Sequence, residues 1–150
     1  MRGMAAGIGA AAVWAAAEPA MGRAFGVPWY SDRRLLGGLL RIGPKAAIAV
    51  HLANGALFGA TFERLGLRGP VKGVAMAQAE SLGLWAFMAV VDRVHEDRRN
   101  GEWPPLARNG RVFAYEVAVH ALFGAVLGGL LSPSPERAPA PRREAPAAQR

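Results

Sequence analysis

The chain has 150 residues, a hydrophobic fraction of 52%, a charged fraction of 19% and a formal net charge of +7. It contains no cysteine, which excludes disulfides and thiolate sites. The basic residues carry no interleaved aromatics and no nucleic-acid-binding motif, so we exclude nucleic acid as a partner. Because they lie in connections and in the tail, the expected partner is a lipid bilayer with anionic headgroups.

Four runs almost free of charge divide the chain, and each is long enough to cross a hydrocarbon core as a helix. They lack the alternating pattern of strands and cover residues 3–22, 46–62, 73–91 and 112–131. The sequence therefore predicts an all-α fold, with a membrane domain over 1–131 that forms a four-helix bundle. Residues 132–150, rich in Pro, Ala and Arg, are predicted to be disordered. A soluble helical bundle is the alternative, since Ala-rich runs are only marginally lipophilic.

The first run has two interpretations. Arg2 and the alanines before Glu18 would suit the basic region and cleavage site of a signal peptide over residues 1–17. The doubled architecture described next instead requires a retained helix, which we expect. Small residues recur in this run at every fourth position and favour close packing on another helix. They are Gly3, Gly7, Ala11 and Ala15.

The second and fourth runs share the motif Ala-Val-His-x-x-x-Gly-Ala-x-x-Gly, at residues 49–59 and 118–128. At helical spacing the histidine and the two glycines share one face. The offset of 69 residues predicts two parallel-repeat hairpins, with His51 and His120 at equal depth. The first and third runs do not align at this offset. We expect the motif glycines to pack helices of this chain, of a second copy or of other membrane proteins. These glycines are Gly55, Gly59, Gly124 and Gly128.

Two connections are predicted to lie at the membrane surface. In residues 23–45, Ser31 fits an N-cap, with Asp32 in the first turn of a short amphipathic helix near residues 33–41. Residues 92–99 form a charged extension of the third run, in which His95 is expected to be solvated. The cation density of the short middle turn and of the tail favours cytoplasmic termini in an inner or plasma membrane.

Ionisable groups inside the predicted spans are the candidate functional residues, because their burial in a bilayer is costly. Together with one polar companion they are Glu18, His51, Asn54, Glu80, Glu116 and His120. Glu116 and His120 are four residues apart and could exchange a proton on one helix face. One hypothesis is therefore a proton- or cation-linked transport component. The other, which we expect, is a structural or accessory protein whose buried polar groups only hydrogen-bond neighbouring helices.

No cofactor is expected, and no catalytic motif such as a P-loop or His-Glu-x-x-His occurs, which argues against an enzyme. An alternative use of the repeat is that His51 and His120 ligate a haem iron axially, with the glycines making room for the porphyrin. With Glu80 or Glu116, the same histidines could instead hold a divalent metal.

The two His-x-x-x-Gly-x-x-x-Gly helices resemble those of small multi-span inner-membrane proteins, the YagU-like proteins among them. The matching residues are His51, Gly55 and Gly59 in one helix and His120, Gly124 and Gly128 in the other. The resemblance implies an inner-membrane location without a known activity, and it carries no functional residue to this chain.

Overall fold

The computed structural model describes residues 1–132, and it consists of helices and connections. The helices are α1 (Arg2–Ala24), α2 (Asp32–Leu40), α3 (Pro44–Arg64), α4 (Pro70–Trp85), α5 (Met88–Val94), α6 (Glu96–Arg99) and α7 (Gly110–Leu130). The all-α prediction is thus confirmed for these residues. The predicted disordered tail lies, from residue 133 onward, outside the described residues.

Two helices, α1 and α7, are long and apolar enough to cross a membrane unaided. The number rises to four if each of two bent pairs counts as one span. In these pairs α2 and α3 meet at 109°, and α4 and α5 meet at 51°. The described part of the chain therefore carries two to four candidate spans, as expected for a membrane protein.

Helix α1 packs on α3 through glycines. A Cβ added to Gly7 would collide with the backbone carbonyl of Gly55, and one added to Gly55 would lie 2.6 Å from the Cβ of Ala11. Gly3 and Gly59 oppose each other in the same way. Backbones approach this closely only where side chains are absent. Three members of the predicted small-residue stripe, Gly3, Gly7 and Ala11, thus lie in this contact.

Helices α4 and α7 pack by the same means. Gly73 opposes Gly124, where an added Cβ on Gly124 would lie 2.7 Å from the Cα of Val74. Gly69 opposes Gly128, where an added Cβ would lie 2.8 Å from the Cα of Pro70. Both motif glycine pairs therefore contact a neighbouring helix. The internal repeat that would explain this likeness stays a prediction.

The third predicted span, residues 73–91, is divided between α4 and α5. The amide of Phe87 donates to the carbonyl oxygen of Leu84 at 2.9 Å, a bond that closes the last turn of α4 tightly. The chain then restarts as α5 in a new direction. Gly83, a weak helix former, lies just before this break.

The short helix of the first connection is confirmed. The Ser31 hydroxyl accepts from the Arg34 amide at 3.2 Å, so Ser31 is the N-cap of α2. At the other end Arg41 adopts a left-handed φ of 55°, which turns the chain sharply into α3.

The prediction that His95 is solvated is wrong. Its side chain is fully buried, with its ring stacked on Trp103 at 4.4 Å between centroids. The mixed charges around it suggested a water-exposed helix. Instead the carboxylate of Asp92 accepts from the amides of Leu106 and Ala107 at 2.7 and 3.0 Å, and so folds the segment back over His95.

Candidate functional site

A cavity of about 480 Å³ lies where α1, α2, α3, α4, α5 and α7 converge. Much of its wall is apolar, including three leucines of α2, Met88 and Val91. Its polar lining residues are Asp32, His51, Asn54, Glu80, Ser81, Glu116 and His120. Five of the six residues singled out in the sequence therefore line one cavity, and Glu18 is the exception.

His51 is held from two sides. Helix α3 directs its Nε2 to the carbonyl oxygen of Ala11 at 3.1 Å and its Nδ1 to Oδ2 of Asp32 at 2.5 Å. A carbonyl oxygen only accepts, so Nε2 carries a hydrogen. The opposite nitrogen then faces a carboxylate across a short contact, with a proton held between the two groups. His51 and Asp32 thus form a proton-sharing pair on the cavity wall.

Asp32 is the functional residue that sequence reasoning missed. The sequence marked it only as a first-turn residue of α2, and nothing in its own surroundings pointed to His51, which lies 19 residues further along. The 109° bend between α2 and α3 brings the two together. Asp32 is therefore a partner that only the tertiary structure reveals.

Glu18 fixes the start of α2 and lies outside the cavity. Its Oε1 accepts from the amide of Asp32 and its Oε2 from Nε of Arg33, both at 2.8 Å. The carboxylate is almost fully buried, whereas 41% of the Arg33 side chain is exposed. Glu18 therefore positions Asp32 for its contact with His51.

Replacing Arg33 by methionine is expected to lower the free energy of unfolding by about 1–3 kcal/mol, because the buried Glu18 carboxylate loses its ionic partner. The double variant Glu18→Gln/Arg33→Met should recover most of this loss, since no buried charge is then left. Denaturant unfolding of the detergent-purified protein measures both. Arg64→Met, at an exposed position in α3, is the control. A double variant as unstable as Arg33→Met would contradict this account.

The predicted contact between Glu116 and His120 is present. Nδ1 of His120 lies 2.8 Å from the backbone oxygen of Glu116 and 3.4 Å from its Oε2. Because the backbone oxygen accepts, Nδ1 carries the hydrogen and Nε2 is the basic nitrogen of the neutral ring. His120 can therefore take up a second proton beside a carboxylate that balances its charge.

Several polar atoms beside this pair have no hydrogen-bond partner among the described residues. One is Oε1 of Glu116, and two others are the hydroxyls of Tyr30 and Tyr115. Burial, together with the charge of Glu116, raises the pKa of the Tyr30 hydroxyl well above its usual range. Tyr30 therefore stays a neutral phenol, able to donate. The Tyr30 hydroxyl and the Glu116 carboxyl group lie close enough to influence each other's protonation.

Trp14 joins the two histidines. Its ring lies 5.1 Å from the ring of His51 and 4.6 Å from that of His120, between centroids, in edge-to-face geometry. It also contacts Phe123 of α7 at 6.0 Å. In the sequence Trp14 stood out only as one of the few bulky residues in an Ala-rich run. Trp14 is therefore one of the contacts between the two helix pairs, together with that of Phe58 with Phe123.

The metal and haem alternatives do not fit this geometry. Among residues 1–132, no group of three or more His, Asp or Glu is placed to hold a metal ion. A bis-histidine haem needs a free nitrogen on each ring, but both nitrogens of His51 are engaged. Trp14 lies against both rings, where a porphyrin would have to pass.

No protein-family model, no characterised protein and no solved structure matches the chain. The resemblance to the YagU-like proteins therefore stays a proposal.

Proposed function

We propose that the chain is a multi-span protein of the inner or plasma membrane whose cavity passes protons or a small cation, as a transport component. One observation carries the proposal: two histidines, each beside a carboxylate, face the same cavity. His51 is paired with Asp32, and His120 with Glu116. Histidine changes charge near neutral pH, and ionisable groups within membrane helices are typical of proton relays.

The charge of the cavity supports a cationic substrate. Its ionisable lining residues are three carboxylates, Asp32, Glu80 and Glu116, and the two histidines. In the described part of the chain no Lys or Arg lines the cavity. An ionised carboxylate in such a site attracts protons and cations and repels anions.

A structural or accessory role is the competing proposal. The glycine contacts support it, as does Gln78, whose side-chain amide donates to the Val117 carbonyl oxygen at 2.7 Å and so joins α4 to α7. It does not explain the cavity.

The proposed bundle takes α1, α3, the α4–α5 pair and α7 as its four spans. The internal repeat is proposed on the likeness of the two glycine contacts, α1 with α3 and α4 with α7. Gly69, Gly73 and Ala77 follow Gly3, Gly7 and Ala11 by 66 residues, three fewer than the offset between the motifs. Three additional residues between the two helices of the second unit would explain why these runs do not align at 69 residues. Cytoplasmic termini are proposed on cation density alone.

Proton flux tests the proposed function directly. The purified protein is reconstituted in liposomes that enclose a pH-sensitive dye, and a potassium gradient with valinomycin drives proton entry. We expect flux above that of protein-free liposomes, and its loss in His120→Gln and in Glu116→Gln. His95→Gln is the matched control, because this histidine is equally buried but lies outside the cavity. Wild-type flux equal to that of protein-free liposomes would overturn proton transport, as would unchanged flux in both cavity variants.

A further inference from the structure

A second and larger cavity, of about 990 Å³, opens on the other side of α2. It is a groove formed by the α2–α3 corner together with α5, α6 and the residues that follow them. Five cations line it: Arg33, Arg34, Arg41, Lys45 and Arg99. Helix α2 thus separates the groove from the central cavity, with its leucines facing the cavity and its arginines facing the groove.

Two of the five cations are already bound. Arg33 is held by Glu18, and Arg34 is held by Asp97 at 2.8 Å and by Glu102 at 2.6 Å. The other three, Arg41, Lys45 and Arg99, form no ion pair within residues 1–132. Of the acids that line the groove, only Glu96 also forms no ion pair within these residues. The groove therefore keeps an excess of positive charge.

The backbone of Arg41 is a second, independent sign. The left-handed φ of 55° at the end of a helix is the position where glycine is usual, and an arginine there stores strain. Strain of this kind is found where a side chain is held for binding. Arg41 also faces the groove rather than the bundle.

Part of the groove wall is apolar. Ile42, Pro44, Ile48 and Val94 line it, and two of these lie on the first turns of α3. A groove with cations beside an apolar wall at the start of a candidate span matches an amphiphile with an anionic head. Arginine and lysine bind phosphate through strong, charge-assisted hydrogen bonds.

We propose that this groove binds a phosphate group, with Arg41, Lys45 and Arg99 as its contacts. The group comes from the headgroup of an anionic phospholipid or from free phosphate. In the first case the acyl chain lies along Ile42 and Ile48. The site is separate from the central cavity and does not depend on proton transport.

The test uses the purified full chain in a neutral detergent. Native mass spectrometry measures retained dioleoylphosphatidylglycerol, with dioleoylphosphatidylcholine as the zwitterionic comparison, and a thermal shift assay measures stabilisation by the same lipids and by inorganic phosphate. We expect selective retention of the anionic lipid. The triple variant Arg41→Gly/Lys45→Gln/Arg99→Gln should reduce it by about tenfold or more, the loss expected when charge-assisted contacts are removed. Glycine at position 41 relieves the backbone strain, so this variant should fold.

The matched control removes the same number of cations from the middle turn: Arg64→Gln/Arg68→Gln/Lys72→Gln. It should retain the lipid as the wild type does. Stabilisation by inorganic phosphate alone, lost in the groove variant, would assign the site to free phosphate. Equal loss of binding in both triple variants would show that the lipid is attracted to the basic surface in general, and would contradict a specific binding site in the groove. Wild-type protein that neither retains the anionic lipid nor responds to phosphate would overturn it as well.

Discussion

Replacing Gly124 by leucine is expected to lower the free energy of unfolding by about 3 kcal/mol or more, the upper end of the range for overpacking. The position is buried, and even a Cβ there would lie 2.7 Å from the Cα of Val74, in the backbone of α4. A backbone cannot rotate aside as a flexible side chain can. Helices α4 and α7 must therefore separate, and the contacts beside Gly73 are lost with them.

Gly129 provides the control on the same helix. It is exposed, and no atom lies within 4 Å of a Cβ added there. Gly129→Leu should be neutral or slightly stabilising, because leucine forms helix better than glycine. In the other helix pair, Gly55→Leu should cost far more than Leu57→Ala, since the Leu57 side chain is 67% exposed. Thermal unfolding in detergent measures all four variants. Equal losses at positions 124 and 129 would contradict the packing argument.

Replacing Trp14 by alanine is expected to cost about 3–5 kcal/mol, the range for truncating a large buried aromatic residue. The side chain is only 6% exposed, and it contacts both histidines and Phe123. Its removal would merge a new void with the adjoining cavity. It would also remove the contact that links α1 to the cavity face of α7.

Trp14→Phe separates packing from hydrogen bonding. The indole N–H of Trp14 has no partner among the described residues, so phenylalanine loses contact area but no hydrogen bond. Its cost should be smaller than that of Trp14→Ala, because the phenyl ring leaves a smaller void. Trp85→Ala, at a partly exposed position against Phe113, should cost less than Trp14→Ala. Denaturant unfolding measures all three, and a Trp85→Ala loss as large as that of Trp14→Ala would contradict the central role of Trp14.

Hydropathy and spacing predicted the helices and the glycine contacts because both depend on local sequence. Ser31 as the N-cap and Glu116 beside His120 followed from spacings of three and four residues. The residues that were misjudged depend on distant partners instead. His95 is buried against α2, where its Nε2 lies 3.2 Å from the carbonyl oxygen of Leu35, and Asp32 reaches His51 only after the chain has turned at Arg41. No pattern within one helix could indicate those contacts.

The order in which contacts become available has a consequence for biosynthesis. Glu18 with Arg33 and His51 with Asp32 join residues only 15 and 19 positions apart, so the ribosome has delivered both pairs by residue 51. The contact of Trp14 with His120 can form only after residue 120 has been synthesised. Chains generally fold from the N-terminus as they emerge from the ribosome. A nascent chain therefore holds only the first histidine pair. The two carboxylate–histidine pairs therefore line one cavity only after the last helix has joined.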